Sequence, residues 1–247
     1  MKPKEATFHI HRYDPPQKKS WIAEYHVPVT RGMTVLEGLW YIVDFIDGSL
    51  SFRYSCRGAV CGSCAMVINE TITLACRTQI ASLKSEKIEI APLPRMRIIK
   101  DLVVDMDLFL EKYRLIKPYV IHREAHEGEV LQSPESRNRI FSSVKCILCA
   151  SCHGACPLTA VDEDYLGPAV LNAAQRFAFD ERNDLRDDVL KSVNHIEGAL
   201  GCRTISRCTE VCPKYIGPSI RIKELKQKIK EYSEGGKFKP GKEGKIP

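Results

Sequence analysis

The residues that could do chemistry here are cysteines, eleven of them in 247 residues, and they fall in three groups. The first is SCRGAVCGSC with a later partner, giving Cys56, Cys61, Cys64 and Cys76. The second is CILCASCHGACP, with Cys146, Cys149, Cys152 and Cys156. The third is CRTISRCTEVCP, with Cys202, Cys208 and Cys212. The last two share one frame of three cysteines and a closing proline, but where the second run has Cys149 the third has Ile205. An odd cysteine count without a secretory signal argues against a disulfide framework and leaves thiols as metal ligands.

The first group has the C-x4-C-x2-C spacing of a plant-type ferredoxin loop, whose four thiolates hold a [2Fe-2S] cluster. Gly58 and Gly62 suit a tight loop whose N–H groups approach the sulfurs. Zinc is the competing occupant, but zinc sites usually space two cysteine pairs with a longer insert. The second group matches the bacterial ferredoxin run, in which the fourth cysteine ligates the other cluster. That crossing rule assigns Cys146, Cys149, Cys152 and Cys212 to a [4Fe-4S] cluster, and Cys156, Cys202 and Cys208 to a second one. With Ile205 in place of a fourth thiolate, a cubane corner has no ligand, so a [3Fe-4S] cluster with the aliphatic side chain filling the vacant corner is expected there; the alternative is that Ile205 packs in the core while water or hydroxide serves as fourth ligand. Fewer thiolates, with Arg203, Arg207 and Lys145 near in sequence, should raise its potential. His153, next to Cys152, is placed to tune a cluster by hydrogen bonding. The other histidines, His9, His11, His26, His122, His126 and His195, read as surface or packing residues.

These loops need scaffolds. Residues 6 to 13 and 21 to 29 alternate apolar and polar side chains around PPQKK, which predicts a hairpin. Thr34 and Glu37 form a capping-box pattern ahead of LWYIVDFI, and short strands are expected at 65 to 69, 71 to 75 and 87 to 91. APLPR, residues 91 to 95, predicts a boundary between domains 1–95 and 96–247. From Lys100 the pattern turns helical through DLVVDMDLFLEKYRLI, NRIFSSV, GPAVLNAAQRFAFD and GPSIRIKELKQKIKEY, and the Gly- and Lys-rich tail from Ser233 is expected to be disordered. The predicted class is α+β.

The net charge of +6 is dispersed, and no basic stripe with interleaved aromatics points to nucleic acid. The N-terminus lacks the apolar core of a signal peptide, and no apolar run is long enough to span a bilayer, so a soluble chain that docks on a membrane partner is expected. No dinucleotide fingerprint, P-loop or Ser-His-Asp arrangement is present, which leaves single-electron transfer between partners.

The order SCRGAVCGSC, CILCASCHGACP and CRTISRCTEVCP, with FRYSCRGAVCGSC, LACRT, YLGPA and VCPK, resembles the iron–sulfur subunit of succinate dehydrogenase and fumarate reductase over roughly residues 5 to 232. The resemblance implies an N-terminal β-grasp ferredoxin domain and a C-terminal helical domain like a bacterial ferredoxin. It implies an FAD-containing flavoprotein partner, membrane-anchor subunits and a quinone, with electrons running between FAD and quinone through the [2Fe-2S], [4Fe-4S] and [3Fe-4S] clusters in turn. If the chain is bacterial, it would lie on the cytoplasmic face of the membrane. Pro157, Arg203, Ile205 and Lys226 are the matched positions expected near quinone, although Lys226 belongs to KELKQKIK, whose charges ordinarily solvate a helix face or meet anionic headgroups. Ubiquinone-linked members carry a tryptophan pair after the closing proline and a histidine after the first cysteine of the third run. Here those places read PLTAVDEDY and Arg203, as in menaquinone-type members. Relatives serving a thiol-linked fumarate reductase or glycolate-type oxidase usually show paired cysteines, absent here, and free ferredoxins are typically acidic with one cluster domain.

Overall fold

The computed structural model describes residues 4–123 and 127–235. The chain divides into two compact units, one made of residues 1–106 and 147–154, the other of 107–146 and 155–247. The tail expected to be disordered lies outside the described residues from 236 onward.

In the first unit, alternation makes the hairpin. Strands β1 (Lys4–Asp14) and β2 (Lys19–Val29) pair antiparallel over their full length. Ala6, Phe8 and Ile10 of β1 are buried. Helix α1 (Val35–Phe45) follows, started by the expected capping box: Glu37 N–H donates to Thr34 Oγ1 at 3.2 Å and Thr34 N–H donates to Glu37 Oε2 at 2.7 Å. The helix buries Val35, Leu36, Leu39 and Ile42. Gly38 is needed on that face, because a Cβ there would stand 2.4 Å from the Phe8 ring. Strands β3 (Ala65–Ile68) and β4 (Thr71–Leu74) form a second hairpin, and β5 (Lys87–Ala91) runs parallel to β1 and antiparallel to β3. Among the described residues these strands form one sheet in the order β2-β1-β5-β3-β4, a β-grasp arrangement.

The first unit runs past the APLPR break, and there the helical expectation fails. Residues Ile98–Lys100 (β6) and Val103–Val104 (β7) make a small antiparallel hairpin, and helix begins only at Asp107. The cause is a partner far away in sequence. Asp101, fully buried at a left-handed turn (φ 48°), accepts from Arg12 Nε at 2.9 Å, from Tyr13 N–H at 3.0 Å and from Ser51 N–H at 2.9 Å. Local propensity yields to a buried charge pair that a helix could not reach. Arg95 also donates to the Gly154 carbonyl, joining the end of the β-grasp to segment 147–154.

The second unit is helical: α2 (Asp107–Leu115), α3 (Pro134–Ile140), then α4 (Ser151–Ala155), which straddles the division, α5 (Leu158–Val161), α6 (Pro168–Phe179), α7 (Arg186–Ser192), α8 (Arg207–Glu210) and α9 (Pro218–Glu234). Helix α6 is the core, burying Val170, Leu171, Ala174 and Phe177 with Leu190, Ile222, Leu225 and Ile229. Its polar residues hold neighbours in place: Asn172 donates to the Ser143 carbonyl at 3.3 Å, and Ser143 Oγ donates to Gln175 Oε1 at 2.5 Å. They fix the turn that delivers Cys146. No described helix is long and apolar enough to cross a membrane.

Candidate metal centres

The first loop is hung from α1 and from the Arg12 network. Arg12 is nearly fully buried and binds Asp47 at 2.6 Å and Ser49 at 2.8 Å besides Asp101, while the Tyr25 hydroxyl donates to Asp47 at 2.8 Å. This anchors residues 47 to 51, from which the chain enters the loop. Within it, the Arg57 guanidinium stacks 4.0 Å from the centre of the Trp40 ring on α1. Arg57, Ala59 and Gly62 all have positive φ, which curls the backbone about the thiols. The N–H groups of Gly58, Val60 and Cys61 donate to Cys56 Sγ at 3.4, 3.3 and 3.2 Å. These donors, the Cys61 N–H foremost, lower the Cys56 thiol to about 6. Burial pushes Cys64 up to about 12; the backbone N–H of Cys76 opposes this, and the thiols of Cys76 and Cys61 add to it. Cys64 is delivered at the start of β3 and Cys76 just after β4, paired by the bond from Ala75 N–H to the Cys64 carbonyl at 3.0 Å. Cys61 thus lies beside Cys56, and Cys64 lies beside Cys76 and Cys61. A sulfur already cradled by backbone donors fits a cluster thiolate, since N–H bonds stabilise the anionic form.

The second and third runs repeat each other in backbone as well as in sequence. Each begins with a short 3-10 turn, Ser143–Lys145 or Ala199–Gly201, that hands over to a cysteine in extended conformation, Cys146 or Cys202. Two left-handed residues follow at the same offsets: Leu148 (φ 51°) and Ala150 (φ 59°) in one, Thr204 (φ 56°) and Ser206 (φ 69°) in the other. A short helix follows each, α4 or α8. Cys149 and Ile205 thus occupy the same place, between the left-handed pair. Non-glycine residues in this region are uncommon, and two in alternation, twice, mark a shaped loop.

Cys156, Cys202 and Cys208 line one half-enclosed cavity in the second unit, with Pro157, Arg203 and Ile205 on its walls. Burial first, then Cys156 and Cys202, pushes the Cys208 thiol up to about 11. Three thiols of which one resists ionisation in their mutual field suit an occupant that neutralises them. Ile205 is half exposed rather than packed in the core. Lys226 lies on α9, where its ammonium donates to the Cys202 carbonyl at 2.7 Å, fastening the third run to that helix. Of the second run, Cys149 and Cys152 lie in segment 147–154 of the first unit, and Cys146 and Cys156 in the second unit with Cys212. His153 is buried on α4. Among the described residues, no three His, Cys, Asp or Glu side chains are grouped to hold a single metal ion.

Tyr165 enters the sequence reading only as the first residue of YLGPA, with no role of its own, and it lines the three-thiol cavity from the loop before α6. A lone tyrosine has no spacing signature. Gly62 stands out only as a loop glycine until its neighbour, Cys149, is seen.

Two family models match the chain, one after the other. Residues 7–111 match the family described as 2Fe-2S iron-sulfur cluster binding domain. Residues 142–216 match the 4Fe-4S dicluster domain. Among solved structures, a chain of the Mycobacterium smegmatis Sdh1 complex in the apo form superposes with a TM-score of 0.85 at 24% identity, covering 94% of this chain and 98% of that one. A hypothetical protein from Helicobacter pylori superposes with a TM-score of 0.58 at 15% identity, covering 95% of this chain and 43% of that one. The chain therefore carries a match to a 2Fe-2S iron-sulfur cluster binding domain followed by a match to a 4Fe-4S dicluster domain, on a fold shared with the Mycobacterium smegmatis chain.

Proposed function

We propose that this chain is the electron-transfer subunit of a succinate dehydrogenase or fumarate reductase, working between the FAD of a flavoprotein partner and a membrane quinone. The observation that carries this reading is the repeated loop frame in which Ile205 takes the place of Cys149 beside three thiols of one cavity. When bound, the [2Fe-2S], [4Fe-4S] and [3Fe-4S] clusters supply one-electron carriers in series. Cys56, Cys61, Cys64 and Cys76 would hold the first of these. Cys146, Cys149, Cys152 and Cys212 would hold the second, and Cys156, Cys202 and Cys208 the third.

The protein's own part is to present thiolates, donate N–H groups to sulfur and keep the loops in place. Arg203 and Arg207 put positive charge in the third run, which favours the reduced, more negative state of whatever the three thiols hold. Pro157, Arg203, Ile205 and Lys226 are proposed to lie toward quinone, taken as menaquinone because no tryptophan pair or histidine stands at the matched places. Membrane-anchor subunits would hold the chain peripherally on the cytoplasmic face.

The test is electron paramagnetic resonance of native membranes containing the chain, before and after succinate. An oxidised three-iron signal that succinate bleaches is the expected result. A signal that responds to dithionite but not to succinate overturns the donor, and no three-iron signal overturns the assignment at Ile205.

A further inference from the structure

Tyr165 is 2% exposed, and its hydroxyl has no hydrogen-bond partner among the described residues although the residue lines the cavity of the three thiols. The Cys202 thiol is near enough to perturb it, but the geometry falls short of a hydrogen bond. A buried hydroxyl left unsatisfied is destabilising, which phenylalanine at the same place would not be. The ring does not drift there. Lys112, itself buried, donates to the carbonyls of Glu163 and Tyr165, the latter at 3.0 Å. Asp162 accepts from the Tyr165 N–H at 3.2 Å, and Leu166 N–H donates to the Glu197 carbonyl at 2.7 Å. Backbone on both sides of Tyr165 is pinned, so its hydroxyl is aimed by the fold.

We propose that the Tyr165 hydroxyl donates a hydrogen bond to a sulfur of the cluster held by Cys156, Cys202 and Cys208, and that this bond raises the reduction potential of that cluster. The inference rests on the three-iron reading given above. A donor aimed at sulfur stabilises the reduced form more than the oxidised one, because the added electron increases the negative charge on sulfur. One electron enters and the proton remains on tyrosine, so no bond is broken. Tyr165 is a positioning and tuning residue. It touches the group but transfers nothing.

The experiment is a potentiometric titration of the full chain in its native complex, followed by the three-iron resonance, for the parent and for Tyr165→Phe. The expected result is an intact signal whose midpoint falls, reflecting a reduction equilibrium about tenfold less favourable, or about 59 mV for one electron. An intact signal with an unchanged midpoint overturns the role of Tyr165 while leaving the cluster assignment standing. No three-iron signal in the parent overturns the assignment itself, and this inference with it. Where the phenylalanine variant fails to fold, 3-fluorotyrosine placed at position 165 keeps the shape and makes the hydroxyl a stronger donor. Its midpoint should rise, and an unchanged value overturns the inference.

Discussion

The backbone of Gly62 lies directly against Cys149: a Cβ on Gly62 would stand 2.7 Å from Cys149 Cβ and 3.0 Å from the Ile147 carbonyl oxygen. Gly62 has φ +77° as well, so the position excludes a side chain on two independent grounds. Both residues belong to the first unit. Gly62→Ala should destabilise the chain by about 1–3 kcal/mol and force the two loops apart. Urea unfolding reads the first effect. Weaker magnetic coupling between the reduced first and second clusters reads the second.

Ile205→Cys should complete a four-thiolate set. The backbone already has the shape that presents Cys149, and Ile205 is half exposed, so stability should change by no more than about 0.5 kcal/mol. The expected outcome is loss of the oxidised three-iron resonance and a gain of one iron per chain. Retention of that resonance with unchanged iron content would contradict the proposed vacancy.

Arg12→Met should be among the most damaging substitutions away from the cysteines. It strands Asp101, which is fully buried, and removes the tie to Asp47 and Ser49 that anchors the first loop. Removing one partner of a buried ion pair costs about 3–5 kcal/mol. Unfolding midpoints measure it, and the double variant Arg12→Met with Asp101→Leu should recover part of the loss because no charge is left stranded.

Asp47 should contribute to the acid limb of stability. Burial opposes its ionisation, but hydrogen bonds from Ser49, Tyr25 and Arg12 outweigh it, and its carboxyl is held well below the usual range. A depressed carboxylate stabilises the fold fully above the unfolded value, near pH 4. That contribution disappears as pH falls through the folded value. Urea midpoints from pH 7 downward should therefore drop in the parent below about pH 5. In Asp47→Asn the slope should be shallower and the stability at neutral pH lower.

The elements whose determinants are local were legible in the sequence. Thr34 and Glu37 announced the start of α1, alternation announced β1 and β2, and β3 to β5 fall on the short strands expected at 65 to 69, 71 to 75 and 87 to 91. The cysteine frame located the loops, and the one offset that differs drew attention to Ile205. Long-range terms were not legible. The β6–β7 hairpin exists because Asp101 answers an arginine on β1, and no window around residue 101 contains that arginine. For Lys226 the resemblance points toward quinone and KELKQKIK to a solvated helix face, and neither contains the bond from its ammonium to the Cys202 carbonyl. Tyr165 is defined by what its hydroxyl lacks, which only the packing of α6 and the Lys112 contact make visible.

The repeated loop frame also has a genetic consequence. Because the two runs present the same backbone, the electrochemical difference between them can be held in one side chain, and a descendant could trade one cofactor type for the other without rebuilding the scaffold. Yet no single-nucleotide change turns an isoleucine codon into a cysteine codon. A lineage must first pass through another residue at this half-exposed position, so a scaffold that permits the exchange mechanically is buffered against it by the code.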